Sequence, residues 1–372
     1  MGRANALRAL GDLDSRLGQV DSARGLYTQA IALYEKEQND LGRANALQAL
    51  GDLDSRLGQV DSARALYTQA IALYEKEQND LGRANALRAL GDLDRRLGQI
   101  ASARAIYTQA IALYEKEQDD LGRANALQAL GDLDRRLGQI ASARALYTQA
   151  IALYEKEQDD LGRANALRAL GDLDSRLGQV DSARGLYTQA IALYEKEQND
   201  LGRANALRAL GDLDSRLGQV DSARGLYTQA IALYEKEQND LGRANALQAL
   251  GDLDSRLGQV DSARTRYTQA IALYEKEQHN LGRANALQAL GDLDHRLGQV
   301  DSAQTRYTQA IALYETEQDH MGLAYTWAKL ARLSTPWDTL MAHKAKKHAQ
   351  QSASPQVIND VETLLQTPAT SI

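Results

Sequence analysis

The chain has no cysteine and no phenylalanine, and its only three prolines, Pro336, Pro355 and Pro368, lie near the C-terminal end. The missing cysteines exclude disulfides, thiolate metal sites and a cysteine nucleophile, and they suit a reducing compartment. Over three hundred residues without proline can run as helices joined by short turns. No apolar run approaches the roughly 20 residues of a membrane span, and no signal peptide precedes the first regular segment. A cytoplasmic location is expected. An excess of positive charge is also missing: Lys+Arg number 43 against Asp+Glu 50, a net of −7. That balance weighs against nucleic acid and anionic membranes as partners.

What the chain does have is one text, repeated every forty residues. LGRANALQALGDLDSRLGQVDSARALYTQAIALYEKEQND begins at Leu41, with close copies from Leu81, Leu121, Leu161, Leu201, Leu241 and Leu281. Met1 opens the same text, so eight copies fill residues 1–320, and residues 321–372 depart from it. A fixed period of this length indicates stacked supersecondary units, each burying its apolar face against its neighbours.

Within residues 41–80, Ala46, Leu50, Leu53 and Leu57 fall on one face of a helix, expected over 41–57 with Asp40 as its N-cap. Gly58-Gln59 interrupts the pattern. A second helix, expected over 61–78 with Asp61 as cap, carries Ala63, Tyr67, Ala70 and Tyr74 on one stripe. Each copy is therefore a hairpin of a helix A and a helix B. Gly51 sits within helix A, where glycine costs about 0.5–1 kcal/mol relative to alanine. Close packing against helix B is the expected compensation.

Leu50-Gly51, Gly58, Ala63, Tyr67 and Ala70 match in order and spacing the signature of the tetratricopeptide repeat (TPR), which the chain resembles throughout residues 1–333. Asp54 replaces the usual aromatic of helix A, and the usual proline after helix B is missing. The forty-residue unit and its Asn-Asp-Leu-Gly junction are similar to the extended repeats of kinesin light chain and spindle-orientation adaptors. They are also similar to the sensor arrays of NTPase-type immune receptors. The resemblance implies an all-α, right-handed superhelical solenoid whose inner wall is lined by helix A.

Opposite its apolar face, helix A carries a polar stripe. In the first copy this is Asn5, Arg8, Asp12 and Ser15. In later copies it reads Asn45, Gln48 and Asp52, then Asn85, Arg88, Asp92 and Arg95, then Asn125, Gln128, Asp132 and Arg135. It continues as Asn165, Arg168 and Asp172, then Asn205, Arg208 and Asp212, then Asn245, Gln248 and Asp252, and ends at Asn285, Gln288, Asp292 and His295. The core positions are the same in every copy, whereas Arg alternates with Gln and Ser gives way to Arg or His along this stripe. Two readings follow. The stripe is a ligand groove tuned copy by copy, with Arg forks for carboxylates and Asn for peptide backbone. Alternatively, Arg8, Asp12 and Arg16 simply pair along a solvated helix, for about 0.2–0.5 kcal/mol each. TPRs that clamp the carboxylates of chaperone tails use Asn where this chain has Ala9 and Asp12, so that ligand is not expected.

Asp14 and its copies flank the apolar stripe and need a cation. Arg24 is the expected partner, with Arg3 and Arg43 as alternatives, in an ion pair repeated along the array. Leu26 and its copies, which become Arg266 and Arg306, are expected at a partly buried rim. Substitutions come in blocks: copies one, five and six are identical after their first residue, as tandem duplication produces.

After His320, MGLAYTWAKLARL keeps the helix A pattern. Ser334-Thr335-Pro336 and Ser354-Pro355 then restart helices. Residues 321–372 are expected to form a cap of about three helices. Helix A of the first copy has no such cover, so it is expected to fray, to meet another molecule, or to follow a preceding segment. His279, His295, His320, His343 and His348 are scattered without the spacing of metal ligands, and no phosphate loop or nucleophile elbow is present. The expectation is a non-enzyme without cofactor or metal, binding a protein or peptide. The alternatives are the sensor part of a larger NTPase-type receptor and a self-associating solenoid joined through its first repeat.

Overall fold

A computed structural model describes residues 2–333 and 338–366, and all regular structure among them is helical. The chain divides into two compact units, residues 1–193 and 194–372, and the division falls within α10. In the first unit the order is α1 (Gly2–Arg16), α2 (Val20–Lys36), α3 (Asp40–Arg56), α4 (Val60–Lys76), α5 (Asp80–Arg96), α6 (Ile100–Lys116), α7 (Asp120–Arg136), α8 (Ile140–Lys156), α9 (Asp160–Arg176) and α10 (Val180–Lys196). In the second unit it is α11 (Asp200–Arg216), α12 (Val220–Lys236), α13 (Asp240–Arg256), α14 (Val260–Lys276), α15 (Asn280–Arg296) and α16 (Val300–Thr316). Then follow α17 (His320–Leu333), α18 (Thr339–Gln351) and α19 (Pro355–Gln366). Odd helices up to α15 are helix A of a repeat, and even helices up to α16 are helix B. The helix start expected at Ser334-Thr335-Pro336 lies outside the described residues.

The turns repeat as closely as the text. The turn after helix A carries Gly58, whose φ of +73° is open to glycine at no steric cost. The turn after helix B carries Gln78, which holds a φ of +53° without that freedom. The capping residues differ from expectation. Asn39, not Asp40, caps α3, accepting from the Gly42 N–H at 2.8 Å. Asp40 lies inside the helix and pairs with Lys76. Helix B has Gln59 at its N-cap with no side-chain bond, and Asp61 sits in the first turn, where a carboxylate favours the helix dipole.

Two glycines per repeat let the helices close on tyrosine. A Cβ on Gly51 would lie 2.9 Å from the Tyr67 ring, so the expected close approach is present. A Cβ on Gly42 would collide with Tyr34 of the preceding helix B. One cluster, Ala44, Leu47, Ala70 and Tyr74, forms within the hairpin and takes in Ala86 from the next helix A. A second joins neighbouring repeats through Ala23, Tyr27, Leu50 and Leu53. Leu66 is partly buried between these layers, and Arg266 at the same position in a later copy is partly buried as well.

The ion pair of the Asp14 column crosses between repeats instead of closing within one. Arg24 reaches Asp54 at 2.7 Å, Arg64 reaches Asp94 at 2.7 Å, Arg224 reaches Asp254 at 2.8 Å and Arg264 reaches Asp294 at 2.8 Å. Arg104–Asp134 and Arg144–Asp174 follow the same rule. The carboxylates are wholly buried, and each also accepts a serine hydroxyl from its own repeat, as from Ser62 to Asp54. A buried carboxylate thus takes one partner from its own hairpin and one from the hairpin before it. Asp14 itself accepts from Ser22 at 2.5 Å.

In the second unit, α17 packs on α16 around Tyr307, Ile311, Tyr314, Leu323 and Leu330. Ala324, Ala328, Ala345, Ala349, Val357 and Val361 join α17, α18 and α19. Asp338 caps α18, accepting from Leu340 at 2.9 Å and Met341 at 3.0 Å. No helix among the described residues is long and apolar enough to cross a membrane.

Candidate functional site

Helix A is α-helical throughout the polar stripe, so side chains at i, i+3 and i+7 share one face. The structure places the stripe residues there, half-exposed, and ties most of them to the tyrosines of helix B. Within each unit the Asp ladder accepts tyrosine hydroxyls: Tyr27 donates to Asp12 at 2.9 Å, and Tyr67 to Asp52 at 2.7 Å. Asp92, Asp132 and Asp172 accept from Tyr107, Tyr147 and Tyr187 at 2.6–2.8 Å. In the second unit Asp212, Asp252 and Asp292 accept from Tyr227, Tyr267 and Tyr307 at 2.7–2.8 Å.

The asparagines bind the second tyrosine of each hairpin. Tyr34, Tyr74, Tyr114 and Tyr154 donate to Asn5, Asn45, Asn85 and Asn125 at 2.5–2.9 Å. Tyr234, Tyr274 and Tyr314 donate to Asn205, Asn245 and Asn285 at 2.6–2.7 Å. The Asn carbonyl oxygen is engaged, which leaves its NH₂ group for other work.

Arg and Gln at the alternating position behave differently. Arg8, Arg88, Arg168 and Arg208 pair with the carboxylate four residues on, at 3.2–3.5 Å. Their side chains keep about a third of their surface in solvent, between 33 and 37%. Gln48, Gln128, Gln248 and Gln288 lie 3.0–3.3 Å from the tyrosine hydroxyl that also binds asparagine. The Arg copies therefore satisfy their ladder carboxylate, whereas Asp52 and Asp252 form no ion pair among the described residues. Burial pushes the Asp252 carboxyl up from its ordinary range; Tyr267 and Arg256 oppose this, and neighbouring Asp292 and Asp212 add to it.

Ser15 accepts from Arg56 of the next repeat, and Ser55 from Arg96. Where arginine replaces this serine, Arg95 donates to the Tyr107 hydroxyl at 3.3 Å and lies 3.7 Å from Asp92. Arg135 lies 4.0 Å from Asp132. The arginines that reach back to these serines, and the tyrosines beneath the stripe, were not among the expected site residues. The tyrosines are visible in the sequence only as apolar letters of the helix B stripe, so nothing in the period marks their hydroxyls.

At the C-terminal end of the stripe the surface deepens into a pocket of about 190 Å³. Asp292 and His295, both expected, line it with Arg296, Tyr307, Lys329, Arg332 and Leu364, which were not. Burial pushes the His295 imidazole down from its ordinary value, Arg332 and Lys329 push the same way, and Asp292 opposes them. Among the described residues no three His, Asp or Glu side chains gather as they would around a metal ion.

Comparison with known proteins bears on this geometry. The family model described as tetratricopeptide repeat matches residues 2–76, 82–156, 123–196, 162–236, 202–276 and 242–316. Comparison with curated proteins gives no match. Among solved structures, aspartyl phosphate phosphatase F from Bacillus subtilis aligns with a TM-score of 0.60 at 14% identity, covering 99% of this chain and 95% of that one. A Rap protein complexed with Competence and Sporulation Factor aligns at 0.55 and 15% identity, covering 92% and 99%. BtubC (BKLC) from P. vanneervenii aligns at 0.51 and 17% identity, covering 60% and 92%.

Proposed function

The chain belongs to the tetratricopeptide-repeat family, and from that premise we propose that it is a non-catalytic scaffold that binds a protein or peptide along the helix A stripe. The observation that carries this reading is where the copies differ. The core repeats without change and the ion-pair column departs only at Gln304, whereas the Arg/Gln and Ser/Arg/His positions vary along one face, the arginines of the first with about a third of their surface in solvent. Such variation changes what the face offers to a ligand and leaves the packing beneath it alone. The Rap protein of like fold was solved with another factor bound, so the fold is able to hold a second molecule.

The test uses the natural alternation. Arg8, Arg88, Arg168 and Arg208→Gln gives every copy the Gln that four copies already carry, so helicity and thermal stability are expected to stay nearly constant. Selection from a displayed peptide library against the wild-type chain, then binding to the four-site variant, reads the stripe directly. Peptides that lose affinity for the variant support a stripe-bound ligand. Peptides that bind both alike place their site elsewhere.

One observation favours a second reading, self-association. α1 leaves Leu10 and Leu13 at 50 and 51% exposure, whereas Leu50 and Leu53 at the same positions of α3 are at 8 and 3%. If copies join through this face, sedimentation shows oligomers that Leu10→Glu/Leu13→Glu dissolves. A chain that sediments as a monomer at all concentrations removes this reading.

A further inference from the structure

The face that α1 presents is one that its copies bury. Residues 2–16 recur letter for letter as 162–176 and 202–216, and α3 departs from them only by Gln48 for Arg8. In α3 that face lies under α2: Ala46 is wholly buried, and Ala23 and Tyr27 cover Leu50 and Leu53. Two ion pairs frame the contact. Arg24, near the start of α2, reaches Asp54, near the end of α3, at 2.7 Å. Glu35, near the end of α2, meets Arg43, near the start of α3, at 3.2 Å. The two helices therefore run antiparallel.

α1 holds the same groups open. Ala6, Leu10 and Leu13 are exposed. A Cβ on Gly2 would meet nothing within 4 Å, whereas one on Gly42 would strike Tyr34. Arg3 and Asp14, the counterparts of Arg43 and Asp54, form no ion pair among the described residues. Asp14 accepts the Ser22 hydroxyl at 2.5 Å, a neutral partner.

A helix that covers this face needs an arginine and an acid spaced as on α2, with apolar residues between them. Arg24 and Glu35 are eleven residues apart, and so are Arg3 and Asp14. α1 thus carries the charge pattern that its own face accepts. We propose that α1 docks antiparallel on α1 of a second copy, in a two-fold contact held by two equivalent ion pairs, Arg3 of each copy with Asp14 of the other. The proposal rests on the self-association reading above and supplies its geometry.

Arg3, Leu7, Leu10 and Asp14 follow one another at intervals of four, three and four residues, which puts them on one stripe. Setting Arg3 opposite Asp14 of the other copy sets Leu7 opposite Leu10, twice over. A parallel arrangement would instead put Arg3 on Arg3 and Asp14 on Asp14. A two-fold contact uses the same patch on both copies and closes on itself, so it makes a dimer and not a filament.

The test exchanges charges in the full chain and reads sedimentation across a concentration series. Wild type is expected to dimerise. Arg3→Glu alone and Asp14→Arg alone are each expected to weaken the dimer about tenfold or more, since each puts like charges at both contacts. An equimolar mixture of these two variants is expected to dimerise again, because every substituted side chain then meets an opposite charge. Arg3→Glu/Asp14→Arg in one chain reverses both signs and is expected to dimerise as wild type does. Circular dichroism checks that each variant keeps its helices. Wild type also gives a reading that needs no variant to fold: rising salt is expected to weaken the dimer by screening its ion pairs.

A wild-type chain that stays monomeric removes the self-association reading and this contact with it. Three results would spare that reading and overturn the antiparallel pairing. One is a dimer that Leu10→Glu/Leu13→Glu dissolves but that either charge variant leaves at full strength. Another is a mixture no more associated than its two components. The third is a wild-type assembly larger than a dimer, or one that salt does not weaken.

Discussion

At the scale of single residues, the strongest test is the carboxylate that borrows its arginine from the repeat before it. Asp94 is wholly buried, and Arg64 holds it at 2.7 Å while keeping 34% of its own side chain exposed. Arg64→Met leaves that carboxylate with the Ser102 hydroxyl. The expected cost is about 3 kcal/mol, the low end for breaking a buried pair because the arginine stays partly in water. Arg64→Met/Asp94→Asn is expected to recover part of this, and urea denaturation of both variants measures it. Glycine offers a paired contrast. Gly51→Ala drives a methyl to 2.9 Å from the Tyr67 ring. The clash is expected to cost about 1–3 kcal/mol and to outweigh the gain in helix propensity. Gly25→Ala meets nothing within 4 Å, and is expected to stabilise by about 0.5–1 kcal/mol. Thermal melts showing the same sign for both would contradict this account.

These residues also mark the limit of what the text reveals. The hairpin and the Gly51 contact are legible because periodicity and small residues act locally. The Arg24 partner is not, because identical copies make Asp14 and Asp54 the same letter at the same position. Only packing decides whether a bond closes within a hairpin or between hairpins. The stripe was legible as a polar face but not as a hydrogen-bonded layer, since its tyrosine partners read as apolar. The pocket was half legible: Asp292 and His295 stood in the periodic stripe, whereas Lys329, Arg332 and Leu364 lie where the period fades.

At the scale of elements, the C-terminal helices carry an acid-sensitive contact. His320 on α17 and His348 on α18 place their Nδ1 atoms 3.2 Å apart. Burial pushes His348 down from its ordinary 6.5, and His320 and Lys347 push further. An imidazole depressed in the folded state is neutral there. Its contribution is present above the unfolded value of 6.5 and is lost as pH falls below it. The protection of α18 amides relative to their intrinsic exchange rate is expected to fall between pH 7 and 5, and His348→Gln to flatten that dependence. An α18 equally protected at both pH values would remove the contact from the account.

At the scale of the whole molecule, the buried phenols set an alkaline limit. Burial pushes Tyr27, Tyr74 and Tyr274 up to about 12. Tyr67, Tyr107, Tyr147, Tyr227 and Tyr267 are raised by burial and then by their aspartate partners. A raised phenol stays protonated in the fold, so its contribution is intact below its ordinary 10 and is lost as pH rises above it. Because the same groups recur in copy after copy, the losses add. Helicity and phenolate absorbance are expected to change together in one steep step above pH 10. Phenolate appearing well before helix loss would show that the tyrosines ionise in place.

The crossing arginine also sets an order of birth. A ribosome delivers helix B of one hairpin before helix A of the next, so each new carboxylate emerges when its cation is already docked on the finished hairpin behind it. Nascent chains stalled after successive whole repeats are expected to become protease-resistant one hairpin at a time. Growth in that direction never asks a newly made carboxylate to wait, bare and buried, for a partner that has not yet been synthesised.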